Sequence, residues 1–486
     1  MDGAGKGTLT EEDGRTGSEA SAPATPDALV LAIVWYESEP WRVGEVCVVP
    51  VSGPGVVFTL GRGATPSEGR ERRLEFVRNR AGVFEPQPPL SAPKLSRVQL
   101  RVEAKGAELL EVCNVGRSRL KHDGNLVQSA QVRPGSTLQI GRELLLLCVR
   151  RSAWVRAIGA QALATPFGRP DGNGLVGESE AMWELRRQIA FIAPRNEHVL
   201  IVGDSGTGKE LAARGLHAAS ARADAPFVSR NAATFPETLI DAELFGHARN
   251  YPNMGMAERA GLVAQAHGGT LFLDELGELP QALQTHLLRL LDDGEYQRLG
   301  ESTTRHANFR LVGATNRPER LRGDLAARFK LSLEMPGLER RREDIPLLVA
   351  HLLRCIARAN EDVERRVFAS TGSDGTPRVA IDFVDHLVRR NYTGHVRELE
   401  SLLWDALARG PEDVLGRPPA SPDAPAPKEA PAVPHVDPKT LSADVIRSAL
   451  AENGGSVERA FRALGLSSRH VLFRMMIKHG IERSSS

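Results

Sequence analysis

The sequence predicts a multidomain chain: a β-sandwich first, then an α/β domain with a parallel sheet and a helical lid, then a short all-α tail. Three observations predict it. At 486 residues the chain is long enough for several cores, at roughly 100–200 residues per domain. Up to residue 151 the apolar runs are short, β-rich and separated by Gly, Pro and Ser turns, whereas from residue 175 strand-like runs alternate with helical ones. A Pro/Ala-rich stretch, too poor in large apolar residues to bury a core, then sets the tail apart.

Residues 1–27 are rich in Gly, Ser, Ala, Pro and acids and lack the apolar core of a signal peptide, so a disordered head and a cytoplasmic location are expected. Hydrophobic content of 41% and charged content of 25% are ordinary for soluble protein. No run approaches the about 20 apolar residues that span a bilayer. Cys47, Cys113, Cys148 and Cys355 are far apart and form no CxxC pair, which argues against a disulfide framework or a zinc knuckle. A net charge of +1 excludes a blanket nucleic-acid coat but leaves room for one small basic domain.

Within residues 28–151, "LVLAIVWY", "GVVFTLG", "RVQLRVEA", "LLEVCNV" and "LLLLCVRR" read as sandwich strands. The connection "TPFGRPDGNG" follows. Residues 175–335 form the α/β domain, with "HVLIVG", "GTLFLDE" and "RLVGATN" as strands; residues 336–410 are its helical lid. Residues 411–438 are a stiff linker, and 439–486 carry short helices.

The centre carries the chemistry. "VLIVGDSGTGKE" runs from an apolar strand into Gly203, Asp204, Ser205, Gly206, Thr207, Gly208, Lys209 and Glu210, with a helix next. Glycines there let backbone N–H groups turn inward, Lys209 reaches β/γ-phosphates, and the helix presents its positive end. Val176 and Gly177, just upstream, are assigned to the same nucleotide site. Glu210 stands where many such loops have Ser or Thr, so a hydroxyl on magnesium must come from Thr207 or from water. A second strand ends in Asp274 and Glu275: Asp274 suits hydrated Mg2+, and Glu275 suits activation of the attacking water. Together these imply ATP hydrolysis.

The runs "PFVSRNAATFPETLIDAELFGH", "GGTLFLDELGELP", "LLRLLDDGEYQRLG", "ATNR", "RREDIPLL" and "GHVRELES" resemble the AAA+ domain of bacterial sigma-54-dependent transcription activators, over about 175–407. The resemblance implies that Asn231 restrains the catalytic glutamate, that Asn316 is sensor I, and that Arg397 is sensor II on the lid. It makes Arg322 and Arg328 the arginines a neighbouring subunit inserts toward the γ-phosphate, so activity would require a homo-oligomeric ring; such an arginine is worth roughly 10³–10⁵ in rate. Phe329 replaces the usual Leu, and "NYTGHV" stands in place of a Trp-Pro-Gly-Asn run.

The front domain resembles a forkhead-associated (FHA) domain, which implies that Arg62, Ser96 and Arg97 hold a phosphothreonine protein or peptide, with Gln99 in place of the motif's histidine. The tail resembles a Fis-type helix-turn-helix, with Ser467 or Ser468 capping a third helix whose Arg469, His470, Arg474 and Lys478 face upstream enhancer-like DNA. In the slot where the family carries Gly-Ala-Phe-Thr-Gly-Ala to engage sigma-54 RNA polymerase holoenzyme, this chain has Asn250, Tyr251, Pro252, Asn253, Met254 and Gly255. Two readings stay open: an activator that remodels the holoenzyme, or a signal-responsive DNA-binding scaffold or repressor whose AAA+ core no longer does. A generic AAA+ chaperone is disfavoured by the tail.

Overall fold

The computed structural model describes residues 27–50, 56–64, 71–80, 83–152, 165–236, 239–368, 375–410, 414–418, 442–452, 457–464 and single positions from 466 to 481. All of the expected head except Asp27, which opens the first strand, lies outside these residues, as does most of the expected linker.

Among the described residues the front domain is two β-sheets of eight and five strands. At the centre of the larger sheet, β1 (Asp27–Tyr36) pairs antiparallel with β2 (Leu144–Ser152). Alternate side chains point to opposite faces of a strand. Leu29, Leu31 and Ile33 of β1, with Leu144, Leu146 and Cys148 of β2, fill the space between the two sheets. The opposite face is apolar as well: Val34, Leu145 and Leu147 join the core of the lid. A strand covered on both sides reads as a continuous apolar run rather than an alternation, which is why "LVLAIVWY" and "LLLLCV" carry no polar position.

The α/β domain is a parallel sheet of β3 (Val199–Val202), β4 (Phe227–Asn231), β5 (Thr270–Asp274), β6 (Arg310–Thr315) and β7 (Leu331–Glu334), in the order β4-β5-β6-β3-β7. Both faces are covered. Leu271, Leu273 and Leu311 pack into one core, and Phe272, Val312, Ala314 and Ile201 into the other. Helix α1 (Glu180–Ile192) is capped by Ser179, whose hydroxyl accepts from Met182 N. Helix α2 (Lys209–Ala218) follows the phosphate loop, and α3 (Gln281–Asp293) stops at Gly294, whose φ of +70° lets its N–H reach Leu290 O at 3.0 Å.

The lid begins after Gly337 and contains α4 (Ile345–Ala359), α5 (Glu361–Val367), α6 (Ile381–Arg389) and α7 (His395–Arg409), packed through Leu353, Val384, Leu387, Leu399 and Leu403. Polar contacts reinforce the seam between front domain and ATPase. Thr137 Oγ1 donates to Asp385 Oδ1 at 2.6 Å, and Arg151 Nη2 to Glu343 Oε1 at 3.3 Å, all four residues being buried. Arg80 Nε donates to Glu178 Oε2 at 3.2 Å, just ahead of α1.

In the tail, α8 (Ala443–Glu452) and α9 (Val457–Ala463) share a small core of Ile446, Ala449, Val457, Ala460, Leu472 and Met475. The expected cap, Ser467 or Ser468, and Arg469, His470, Arg474 and Lys478 lie outside the described residues. Among the described residues no helix is long and apolar enough to cross a membrane.

Candidate functional site

The carboxyl ends of β3, β5 and β6 open onto one crevice, the place where open α/β sheets bind ligands. Between β3 and α2 the loop turns through Gly206 (φ +81°) and Gly208 (φ +99°), left-handed conformations that glycine adopts without steric cost. Lys209, buried, folds back so that Nζ donates to Gly203 O (3.0 Å) and Asp204 O (3.2 Å). The ammonium is thus parked on carbonyls at the mouth of a helix N-terminus. Thr207 is also buried, and its hydroxyl donates to Asp204 O at 2.7 Å, closing the loop upon itself. Glu210 points away and pairs with Arg214 one turn on, at 2.7 Å.

Register brings the acidic end of the site together. β4 and β5 run parallel with Asn231 opposite Asp274, and Asp274 Oδ1 accepts from Glu275 N at 2.9 Å. Glu275 has a left-handed backbone (φ +52°) at the strand's end. Burial pushes its carboxyl above the usual carboxylate range; Lys209 opposes that shift, and Asp274 and Glu278 add to it. Asn231 Oδ1 accepts from Ala233 N at 2.8 Å, which anchors it at the head of a short turn. Asn316 follows β6 directly and is half-buried. The cradle suits a nucleotide triphosphate: inward-turning glycines, one lysine, a helix N-terminus and two carboxylates. Among the described residues no cluster of three or more His, Cys, Asp or Glu is poised for a metal. A magnesium ion held through one carboxylate, phosphates and water needs none.

The lid closes the other side. Arg397 Nη1 donates to Ser205 Oγ at 3.0 Å, and Val396 N to Gly206 O at 3.1 Å. Gly177 (φ +140°) lies so close to Asp344 that a Cβ there would sit 2.5 Å from Oδ2, and Val176 packs into the lid core. Asp344 accepts from Glu178 N (2.7 Å) and Ser179 N (2.9 Å), tying the start of α1 to the lid. Arg341, buried, donates to Thr207 O at 3.3 Å and so grips the phosphate loop from the lid side. Sequence reasoning passed over Arg341 and Asp344 although "RRED" marks both; their roles depend on a fold that brings residues 341–344 back to 178 and 207.

Arg322 and Arg328 are paired with residues other than those described for the crevice. Arg322 pairs with Asp324 (2.7 Å) and Thr285 (2.9 Å), and Arg328 with Asp292 (2.5 Å), all at the surface.

In the front domain, Arg62 and Arg97 line one cleft of about 620 Å³ with Gly63, Pro89, Leu90 and Ser91. Ser96 is not among those lining residues; its hydroxyl accepts from Arg117 N at 3.0 Å. Gln99, fully buried, acts as the organiser of these loops: Oε1 accepts from Ser96 N (3.1 Å), and Nε2 donates to Asn114 Oδ1 (2.7 Å) and Ser118 O (2.9 Å).

The Asn250–Gly255 segment is a closed surface loop. Asn250 N donates to Met256 O at 2.9 Å, and Gly255 N to Asn250 Oδ1 at 2.9 Å. Tyr251 lies across Gly300 of the neighbouring hairpin yet stays partly exposed, Pro252 and Asn253 are exposed, and Met254 at the tip is 91% exposed.

Residues 175–331 match the Sigma-54 interaction domain family. The chain is 38% identical over 315 residues to the transcriptional regulatory protein ZraR of Salmonella typhimurium, covering 62% of this chain and 68% of that one. It is 38% identical over 273 residues to the DNA-binding transcriptional regulator NtrC of Rhizobium meliloti, covering 53% and 54%. A crystal structure of NtrX from Brucella abortus in complex with ATP is similar at 29% identity and a TM-score of 0.44, over 64% of this chain and 70% of that one. With a Sigma-54 interaction domain built on this crevice and relatives of this kind, the chain belongs to the family of sigma-54-type transcriptional regulators.

Proposed function

We propose that the chain is an ATP-hydrolysing, DNA-binding transcription regulator of the sigma-54 activator type that works as a ring. The observation that carries this reading is the register placing Asn231 beside Asp274, with Glu275 next in chain and under the influence of Lys209. ATP would lie along the phosphate loop, with Lys209 released from its carbonyls to the phosphates. Asp274 would hold the hydrated magnesium, which supplies charge neutralisation when bound. Glu275, its basicity raised by burial, would take a proton from the attacking water. Arg322 and Arg328 would act on the site of the adjacent subunit, and their surface ion pairs, screened by solvent, are easily exchanged for a phosphate. The tail would hold enhancer-like DNA through Arg469, His470, Arg474 and Lys478.

The test is ATPase rate against protein concentration. Specific activity rises with concentration in the wild type and stays near zero in Lys209→Ala and Arg328→Ala; a wild type as inert as both at every concentration removes the hydrolytic ring.

A second reading is favoured by one observation: the loop at 250–255 has Pro252 and Asn253 where sigma-54 engagement in the resembled family uses Phe and Thr, with Tyr251 one position early. In that reading the core binds and hydrolyses ATP but serves a DNA-bound scaffold or repressor. ATP-dependent open-complex formation with purified sigma-54 holoenzyme decides between the two. The front domain would sense a phosphothreonine peptide through Arg62 and Arg97, with Ser96 shaping the loop beneath. Phosphopeptide titration against Arg62→Ala checks it: equal binding by both proteins leaves only a scaffold role.

A further inference from the structure

We propose that His395 is a positioning residue that links the lid's hinge to the phosphate loop through Asp204. His395 opens α7 with a left-handed backbone (φ +48°), a conformation that a residue with a Cβ adopts at a cost, yet its side chain is 3% exposed. Both ring nitrogens are engaged. Leu338 N donates to Nδ1 at 3.3 Å, with Glu339 Oε2 3.7 Å from the same nitrogen, and Nε2 faces Asp204 Oδ2 at 3.4 Å. The ring presses on the hinge so closely that a Cβ at Gly337 would sit 2.8 Å from Cε1.

Asp204 is the loop residue whose carbonyl also holds Lys209 Nζ and Thr207 Oγ1. Residues 395, 396 and 397 therefore meet 204, 206 and 205 in one compact contact. Within it, Lys209 and Arg397 have partners that phosphate can replace. His395 does not: its carboxylate partner lies in the loop and its acceptor nitrogen is held by the hinge. When nucleotide arrives, lysine and arginine move to it and His395 stays as the fixed point that keeps lid and loop in register. Its loss therefore weakens nucleotide binding and leaves the chemical step intact. This inference rests on the proposed nucleotide site.

Two conservative replacements separate positioning from packing. Gln carries its amide nitrogen where His carries Nε2 and keeps the donor aimed at Asp204. Asn carries its oxygen where His carries Nδ1, so it keeps the acceptor for Leu338 and falls short of Asp204. Asn also tolerates the left-handed backbone better than Gln or His. With the full-length chain, calorimetric titration with ADP and steady-state ATPase kinetics are measured for wild type, His395→Gln, His395→Asn and His395→Phe, alongside Tm. The expected result is ADP affinity and KM for ATP weakened roughly tenfold in the Asn and Phe variants. The Gln variant stays near wild type, kcat at saturation changes by less than about twofold, and the Asn variant has the highest Tm of the three. Stability and affinity then rank Asn and Gln in opposite orders, which a packing role cannot produce. Gln as weak as Phe, or Asn as tight as wild type, overturns the inference alone. A wild type that binds ADP no better than Lys209→Ala overturns the nucleotide site itself, and this inference with it.

Discussion

At the scale of single residues, the crevice is governed by groups held in tension with their surroundings. Glu275 is pushed above the ordinary carboxylate range by burial. A base must be ionised to act, so protonation silences it as pH falls through that raised value. The plot of kcat against pH is therefore expected to fall on its acid side with an apparent pKa above the roughly 4.3 of a free glutamate. Glu275→Gln, which cannot accept the proton, is expected to lower kcat by about 10²–10⁴-fold while ADP still binds. An acid limb at the free-glutamate value, or a Gln variant with near-normal kcat, removes Glu275 from the base's role. The residues of the phosphate loop were legible in the sequence because their chemistry is local, within eight consecutive positions. His395 was not: nothing in "NYTGHV" announces a left-handed backbone or an aspartate 191 residues away.

At the scale of elements, the sequence shows what a strand will bury but not against what. The unbroken apolar runs of β1 and β2 state that both faces are covered; that the second cover is the lid follows only from Val34, Leu145 and Leu147 lying among lid side chains. The parallel sheet was legible for the same reason that its partners were not: strand runs are local, whereas the register setting Asn231 beside Asp274 joins segments separated by two helices and a surface loop. Leu147→Ala opens a cavity in that seam and is expected to cost about 2–5 kcal/mol, measured by denaturant unfolding. Arg151 gives a sharper test. Arg151→Leu leaves Glu343 buried without its cation and is expected to cost about 3–5 kcal/mol, whereas replacing both partners with Leu recovers most of that loss. Additive losses would mean the pair is not in contact.

At the scale of the whole molecule, the seam joins front domain, ATPase sheet and lid through buried polar and apolar contacts. Arg80 reaches the ATPase side at Glu178, while Thr137 and Arg151 reach the lid at Asp385 and Glu343. Scanning calorimetry of the full chain is expected to show one main transition for these three parts, with the tail, which has its own small core, melting separately. A front domain that melts well before the ATPase would show the seam to be weak.

The apolar outer face of β1 and β2 has a further consequence for how such proteins are assembled from parts. A front domain cut free at residue 152 would bare Val34, Leu145 and Leu147 to water, a stripe shaped to one particular lid. Grafted onto a different ATPase, it would meet helices that do not fit it. The smallest piece of this chain that can be moved without exposing that stripe is therefore sandwich and ATPase together, and any new partner has to bring this lid's surface or one re-cut to match.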